Sequence, residues 1–259
     1  MHESNLSCPR KTVLVVDDDE ICRCVTSEIL ENLGVTVHHA EDADRATCLA
    51  KANHYDLILL DLYMPSMNGI ELARLLQESG AATEDRIFLL TGEEPEAVLK
   101  TIQTGSTLRI FHKPLDRAQV MSFFSTRKSE EPPETVVVQT VKIKGFDMSL
   151  ALANFLGNES AFFSILREFP RYGATFISDY SSYLKAKNIK ECLRLAHSLK
   201  GSSLMIGATE INRVAKELES ACYSASDVQC IEEAFTKIKA KILEASESVK
   251  NHFQHHGNA

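Results

Sequence analysis

The chain has 259 residues, 44% hydrophobic and 25% charged, and a formal net charge of −8; the length favours two ordinary domains and the composition a soluble globular protein. No apolar run is long enough to cross a bilayer, Met1–Lys11 lacks the apolar core of a signal peptide, and seven cysteines without paired spacing fit a reduced cytoplasm. Residues 1–127 hold 12 Lys and Arg against 20 Asp and Glu while residues 128–259 hold 16 of each, so the acidic excess sits in one half, and no basic stripe suggests nucleic acid.

In chain order, Thr12–Val16, Val35–Val37, Leu57–Leu60, Ile87–Leu90 and Leu108–Phe111 read as strands. Helical patterns over 20–33, 42–53, 69–79, 94–104 and 116–125 separate them. Unbroken apolar strands alternating with helices indicate a parallel sheet covered on both faces. Cys22 and Cys24 lie too close in sequence to share a helix face and read as packing residues. Residues 127–144 are polar and proline-bearing, a solvated linker that spans about 25 Å as a random coil, with Val136–Val138 an apolar exception. The remainder reads as helices near 147–156, 159–186, 189–206, 208–223 and 227–250. The short connections at Gly157-Asn158 and Lys187-Asn188 predict antiparallel neighbours and a helix bundle. The tail bearing His252, His255 and His256 offers transition-metal ligands, but a disordered terminus is the expectation.

Asp17, Asp61, Thr91 and Lys113 all fall at or just past the carboxyl end of a strand, where open α/β sheets bind ligands. Each has an ordinary alternative: an aspartate after a strand is often a helix cap, Asp19-Glu20 suits a first helical turn, and Lys113-Pro114 suits a loop. Together they assemble what a carboxylate needs to accept a phosphoryl group. Asp17, Asp18 and a backbone carbonyl just past Asp61 supply oxygen ligands for a divalent cation such as Mg²⁺. Lys113 and Thr91 supply donors for phosphoryl oxygens.

These motifs resemble those of the response-regulator receiver domain over residues 11–126. ValLeuValValAspAspAsp, LeuIleLeuLeuAspLeuTyrMetProSerMetAsnGly, LeuLeuThrGly and PheHisLysPro carry the likeness in order. The resemblance implies a flavodoxin-like α/β fold with a five-stranded parallel sheet in the order 2-1-3-4-5. It also implies Asp61 as phosphoacceptor, Asp17, Asp18, Asp61 and the Tyr63 carbonyl as Mg²⁺ ligands, and Thr91 and Lys113 as phosphate contacts. Two positions depart from the usual pattern. Ile110 stands where such domains commonly carry a switching aromatic residue, and Tyr63 places a ring near the path of hydrolytic water.

In the second half, Leu193, Ala196, Leu199, Ser203 and Ile206 form a helical stripe, with His197 beside it. Lys200 and Gly201 follow His197 at three- and four-residue spacing, on the same surface. An ordinary surface histidine is the plain reading of His-x-x-Lys alone. The glycine, which costs a helix roughly 1 kcal/mol against alanine, suggests close approach by a partner. Lys200 adds positive charge for phosphoryl oxygens, and a neutral imidazole offers a nucleophilic nitrogen. The segment AlaHisSerLeuLysGlySerSerLeuMetIleGlyAla is similar to histidine phosphotransfer (HPt) domains. That likeness, over 145–250, implies an all-α four-helix bundle with His197 phosphorylated and its imidazole projecting to solvent.

No Gly-rich ATP loop accompanies these sites, so no ATP-dependent kinase activity is expected, and phosphate is expected from another protein. The reading is a cytoplasmic phosphorelay protein. Its partners are an upstream sensor histidine kinase or HPt protein and a downstream receiver, with no nucleic acid and no membrane insertion. The alternatives are a phosphorylation-controlled binding switch and a phosphate sink.

Overall fold

The computed structural model describes residues 11–92, 108–124, 142–224 and 228–256. Five strands, β1 (Thr12–Val16), β2 (Thr36–Ala40), β3 (Leu57–Asp61), β4 (Ile87–Thr91) and β5 (Arg109–His112), form one sheet in the order β2-β1-β3-β4-β5. Every pairing is parallel, so all five carboxyl ends share one edge. This is the flavodoxin-like order expected above.

Burial on both faces explains the apolar strands. Val13, Val15, Leu57, Leu59, Phe88 and Leu90 face one core, while Leu14, Val16, Ile58, Leu60, Ile87 and Leu89 face the other. Each such side chain contributes roughly 1.5–3 kcal/mol by leaving water. The helices α1 (Glu20–Glu31), α2 (Ala43–Ala52), α3 (Gly69–Glu78) and α4 (Arg117–Phe124) cover these faces. Strand β2 runs through His38 and His39 to Ala40, past the predicted end. The histidines break the apolar pattern, yet Tyr55 and Ser27 partner their Nδ1 atoms at 2.7 and 3.2 Å. The predicted helix 94–104 lies outside the described residues, as do Val136–Val138.

After the short α5 (Met148–Asn154), four helices form the bundle: α6 (Glu159–Lys185), α7 (Ile189–Met205), α8 (Thr209–Ser224) and α9 (Val228–His256). Asn158 and Asn188 cap α6 and α7 by accepting from Ala161 N at 3.1 Å and Glu191 N at 3.3 Å. The connection before α7 turns through Lys187 in the left-handed region, with φ 55°. At Gly173 an added Cβ would lie 2.5 Å from Ile242 Cγ2, so the glycine lets α6 and α9 close on each other.

Two expectations are corrected here. One residue at the end of the linker is packed rather than solvated: Ile143 is 4% exposed in the bundle core, between exposed Lys142 and Lys144. The histidine tail is also ordered, because α9 continues to His256. His252 stacks on Phe163 at 5.7 Å, and Arg167 lies over the Phe253 ring at 4.6 Å. Apolar contact with α6 outweighs the polar composition of that tail. Among the described residues, no helix is long and apolar enough to cross a membrane.

Sheet and bundle share one hydrophobic cluster, with α1 seated against α6 and α7. That contact aims the carboxyl edge of the sheet at the middle of α7.

Candidate functional site

The β3–α3 turn sets the position of Asp61. Asn68 and Glu71 form a reciprocal capping box at the start of α3, and Gly69 N donates to Leu62 O at 3.0 Å. A Cβ at Gly69 would stand 2.3 Å from Asp61 O, so only glycine lets α3 begin this close to the strand end. Asp61 itself is buried, and its Oδ2 accepts from Tyr63 N at 3.1 Å.

Lys113 enters from the end of β5. Its Nζ donates to Asp17 Oδ2 and to Asp61 Oδ1, both at 2.6 Å, and all three groups are buried. Burial opposes the lysine's charge, but the two carboxylates outweigh it and hold Lys113 well above the usual amine range. Burial, reinforced by the Asp17 charge, pushes Asp61 up to about 6 despite Lys113. Thr91 is buried at the end of β4, and Lys113 N donates to its carbonyl at 2.7 Å.

Asp17, Asp18 and Asp61 each offer one oxygen within 4.8 Å of the others. Asp18 Oδ1 is buried without a hydrogen-bond partner, and Asp18 is pushed up to about 8, chiefly by burial, with Asp61 and Asp17 adding and Arg194 opposing. A buried, unsatisfied carboxylate oxygen in an all-oxygen cluster fits a hard divalent cation. Asp19 follows the helix-cap alternative: its Oδ1 accepts from Cys22 N at 2.9 Å.

The imidazole of His197 is not turned to solvent. Its side chain is 13% exposed because the sheet edge covers it. Asp17, Asp19, Cys22, Asp61, Gly92 and Lys113 line one side of a cleft of about 20 Å³, and His197, Ser198, Lys200 and Gly201 line the other. The Tyr63 ring meets the His197 ring edge-on, with centroids 4.5 Å apart. A Cβ at Gly201 would lie 3.6 Å from Cys22 Sγ, so the partner that approaches this glycine is α1 of the same chain.

Sequence reasoning did not single out Glu219 on α8. Its Oε1 lies 2.6 Å from His197 Nδ1, and Lys200 Nζ reaches its two oxygens at 2.9 and 2.8 Å. Burial raises the acid, but these hydrogen bonds hold Glu219 below the usual carboxylate range. Lys200 therefore lines the cleft while ion-paired to the acid behind the imidazole. The place of Glu219 in line with Ile211 and Ala215, at eight- and four-residue spacing on an apolar helix face, was the available signal.

Residues 13–124 match the response regulator receiver domain, and residues 164–248 match the Hpt domain. The autoinducer 1 sensor kinase/phosphatase LuxN of Vibrio campbellii is 41% identical over 91 residues, covering 35% of this chain and 10% of that protein. The aerobic respiration control sensor protein ArcB of Escherichia coli is 24% identical over 225 residues, or 84% of this chain and 29% of ArcB. The sensory/regulatory protein RpfC of Xanthomonas campestris is 31% identical over 136 residues, 49% of this chain and 19% of RpfC. The chain thus spans less than a third of the length of these curated relatives.

Proposed function

We propose, for a chain that carries a response regulator receiver domain followed by an Hpt domain, that it works in two-component phosphorelay signalling by exchanging a phosphoryl group between its own Asp61 and His197. The observation that supports this reading is the single cleft lined by both residues. Upstream, a histidine of a sensor kinase or HPt protein donates to Asp61. Downstream, His197 serves a separate receiver once the cleft opens.

The chain's own groups suit each demand of the transfer. Glu219 accepts only, so its 2.6 Å contact assigns the proton to Nδ1 of His197 and the lone pair to Nε2. In the forward step a P–N bond forms to that nitrogen as the P–O bond to Asp61 breaks. The Asp61 carboxylate returns beside Lys113, and Glu219 shares the Nδ1 proton as the ring turns cationic. Lys113 and Thr91 hold phosphoryl oxygens, and the Tyr63 ring keeps water from the cleft. Asp17, Asp18, Asp61 and the Tyr63 carbonyl are the residues that would hold Mg²⁺, which supplies charge neutralisation for the phosphoryl oxygens when bound.

The test is phosphorylation of the full chain with Mg²⁺ and a small acyl phosphate, followed by intact mass, in wild type, Asp61→Asn and His197→Gln. An acid-labile phosphate on His197 that vanishes in Asp61→Asn is expected, at a rate independent of protein concentration. Wild type loaded on Asp61 but never on His197 would rule out transfer within the chain.

A further inference from the structure

Two receiver acids beside the phosphorylation site are each held by one side chain of the bundle. Asp19 is 6% exposed, and its Oδ2 accepts from the Tyr172 hydroxyl of α6 at 2.5 Å. The same hydroxyl lies 2.8 Å from Ser202 Oγ of α7, which also donates to the Ser198 carbonyl at 3.0 Å. Ser202 is fully buried, one turn past His197 and Ser198. Next to this bridge, Asp18 accepts from Arg194, whose Nε is oriented by Glu191 at 2.8 Å. The outer pair, Arg171 with Glu20, is about half exposed and adds little.

The Asp19–Tyr172–Ser202 bridge differs from a rim contact because both partners lose water when sheet and bundle meet. A receiver with an apolar residue at the position of Asp19 would leave the half-buried Tyr172 hydroxyl with one partner fewer. A bundle without the hydroxyl would leave a buried carboxylate oxygen with no donor. Mismatch on either side is penalised, which is how a polar contact selects partners.

We infer that Tyr172 is a specificity-determining residue, which admits to the His197 face a receiver that carries a carboxylate at the position of Asp19. The inference rests on the Asp61–His197 exchange proposed above and narrows the partners of His197 to this chain's own receiver and others with that acid.

The test is a double-mutant cycle in the full chain with Tyr172→Phe and Asp19→Ser, the serine keeping a helix cap. Asp61 is loaded with a small acyl phosphate, and transfer to His197 is scaled to the amount loaded. Tyr172→Phe is expected to slow transfer roughly 10- to 100-fold with Asp61 loading unchanged. Asp19→Ser should slow it similarly, and the double variant should be no slower than either. Docking is read separately by alkylation of Cys22, which is 1% exposed against Gly201, using peptide mass spectrometry. Tyr172→Phe should speed that alkylation. Wild-type transfer in Tyr172→Phe, or effects that multiply in the double variant, would overturn the inference. If wild type passes no phosphate to His197, the exchange itself is wrong, and unchanged Cys22 protection in Tyr172→Phe then overturns the clasp as well.

Discussion

Glu219 Oε1 stands 2.6 Å from His197 Nδ1, on a helix 22 residues further along the chain, and the same oxygen takes a hydrogen bond from Lys200 at 2.9 Å. One acid therefore fixes the imidazole tautomer and neutralises the adjacent lysine. Glu219→Ala removes both effects and takes the acceptor away from two half-buried donors, which costs roughly 1–3 kcal/mol of stability. His197 phosphorylation should slow about 10- to 100-fold, and Glu219→Gln should recover part of the loss. Chemical denaturation and single-turnover transfer measure the two, and Glu219→Ala at the wild-type transfer rate would remove the acid from the mechanism. Because Glu219 is held below its ordinary 4.5, its contribution is present above that pH and fades as pH falls through the folded-state value.

A cation should matter more at higher pH. Burial pushes Asp18 from 3.8 up to about 8 and Asp61 up to about 6. The cation-free fold therefore keeps protons that the unfolded chain has lost, and its stability falls as pH rises through that window. Mg²⁺ bound to these oxygens removes the penalty. Thermal melts should show a Mg²⁺-dependent rise in melting temperature that is larger at pH 8 than at pH 5 and is abolished by chelator. Equal shifts at both pH values would mean that the cation binds elsewhere.

Tyr63 lies two residues past Asp61, with its ring against His197. The ring packs against the imidazole that closes one side of the cleft, so removing it loosens that closure. Tyr63→Asn is expected to shorten the phospho-Asp61 lifetime several-fold while leaving acyl-phosphate loading intact. Phosphate release from the pre-loaded chain decides it; a lifetime at or above that of wild type would leave the ring with a packing role only.

Gly201 has room for a methyl group, whose carbon would lie 3.6 Å from Cys22 Sγ in ordinary contact. Gly201→Ala should gain about 0.5–1 kcal/mol of helix stability with transfer unchanged. Gly201→Leu should part α7 from α1, slow transfer at least tenfold and expose Cys22. Full transfer in Gly201→Leu would mean that this contact does not set the approach.

Much of the fold was legible because its causes are local. Apolar runs buried on two faces announced the parallel strands, and Asn158 and Asn188 marked the starts of α6 and α7. Strand β2 was cut short because His38 and His39 look polar until Tyr55 and Ser27 are placed beside them. The terminal helix was read to 250, and its last turns, 251–256, were missed because their polar composition says nothing about Phe163, which His252 stacks upon.

The candidate site divides the same way. Asp17, Asp61, Thr91 and Lys113 sit at strand ends, so a parallel topology gathers them at one edge whatever else the chain does. His197, Lys200 and Gly201 share a helix face by spacing alone. Sequence by itself therefore determined which residues gather at the sheet edge and on one face of α7, and the elements that carry them. Only the tertiary structure decided that they share one cleft, that His197 is covered, and that Glu219, Tyr172 and Arg194 attend it. Those contacts join residues 22, 153 and 176 positions apart, and no local period encodes them. The first arises where two bundle helices pack side by side, and the other two arise because α1 closes on the bundle in one continuous core.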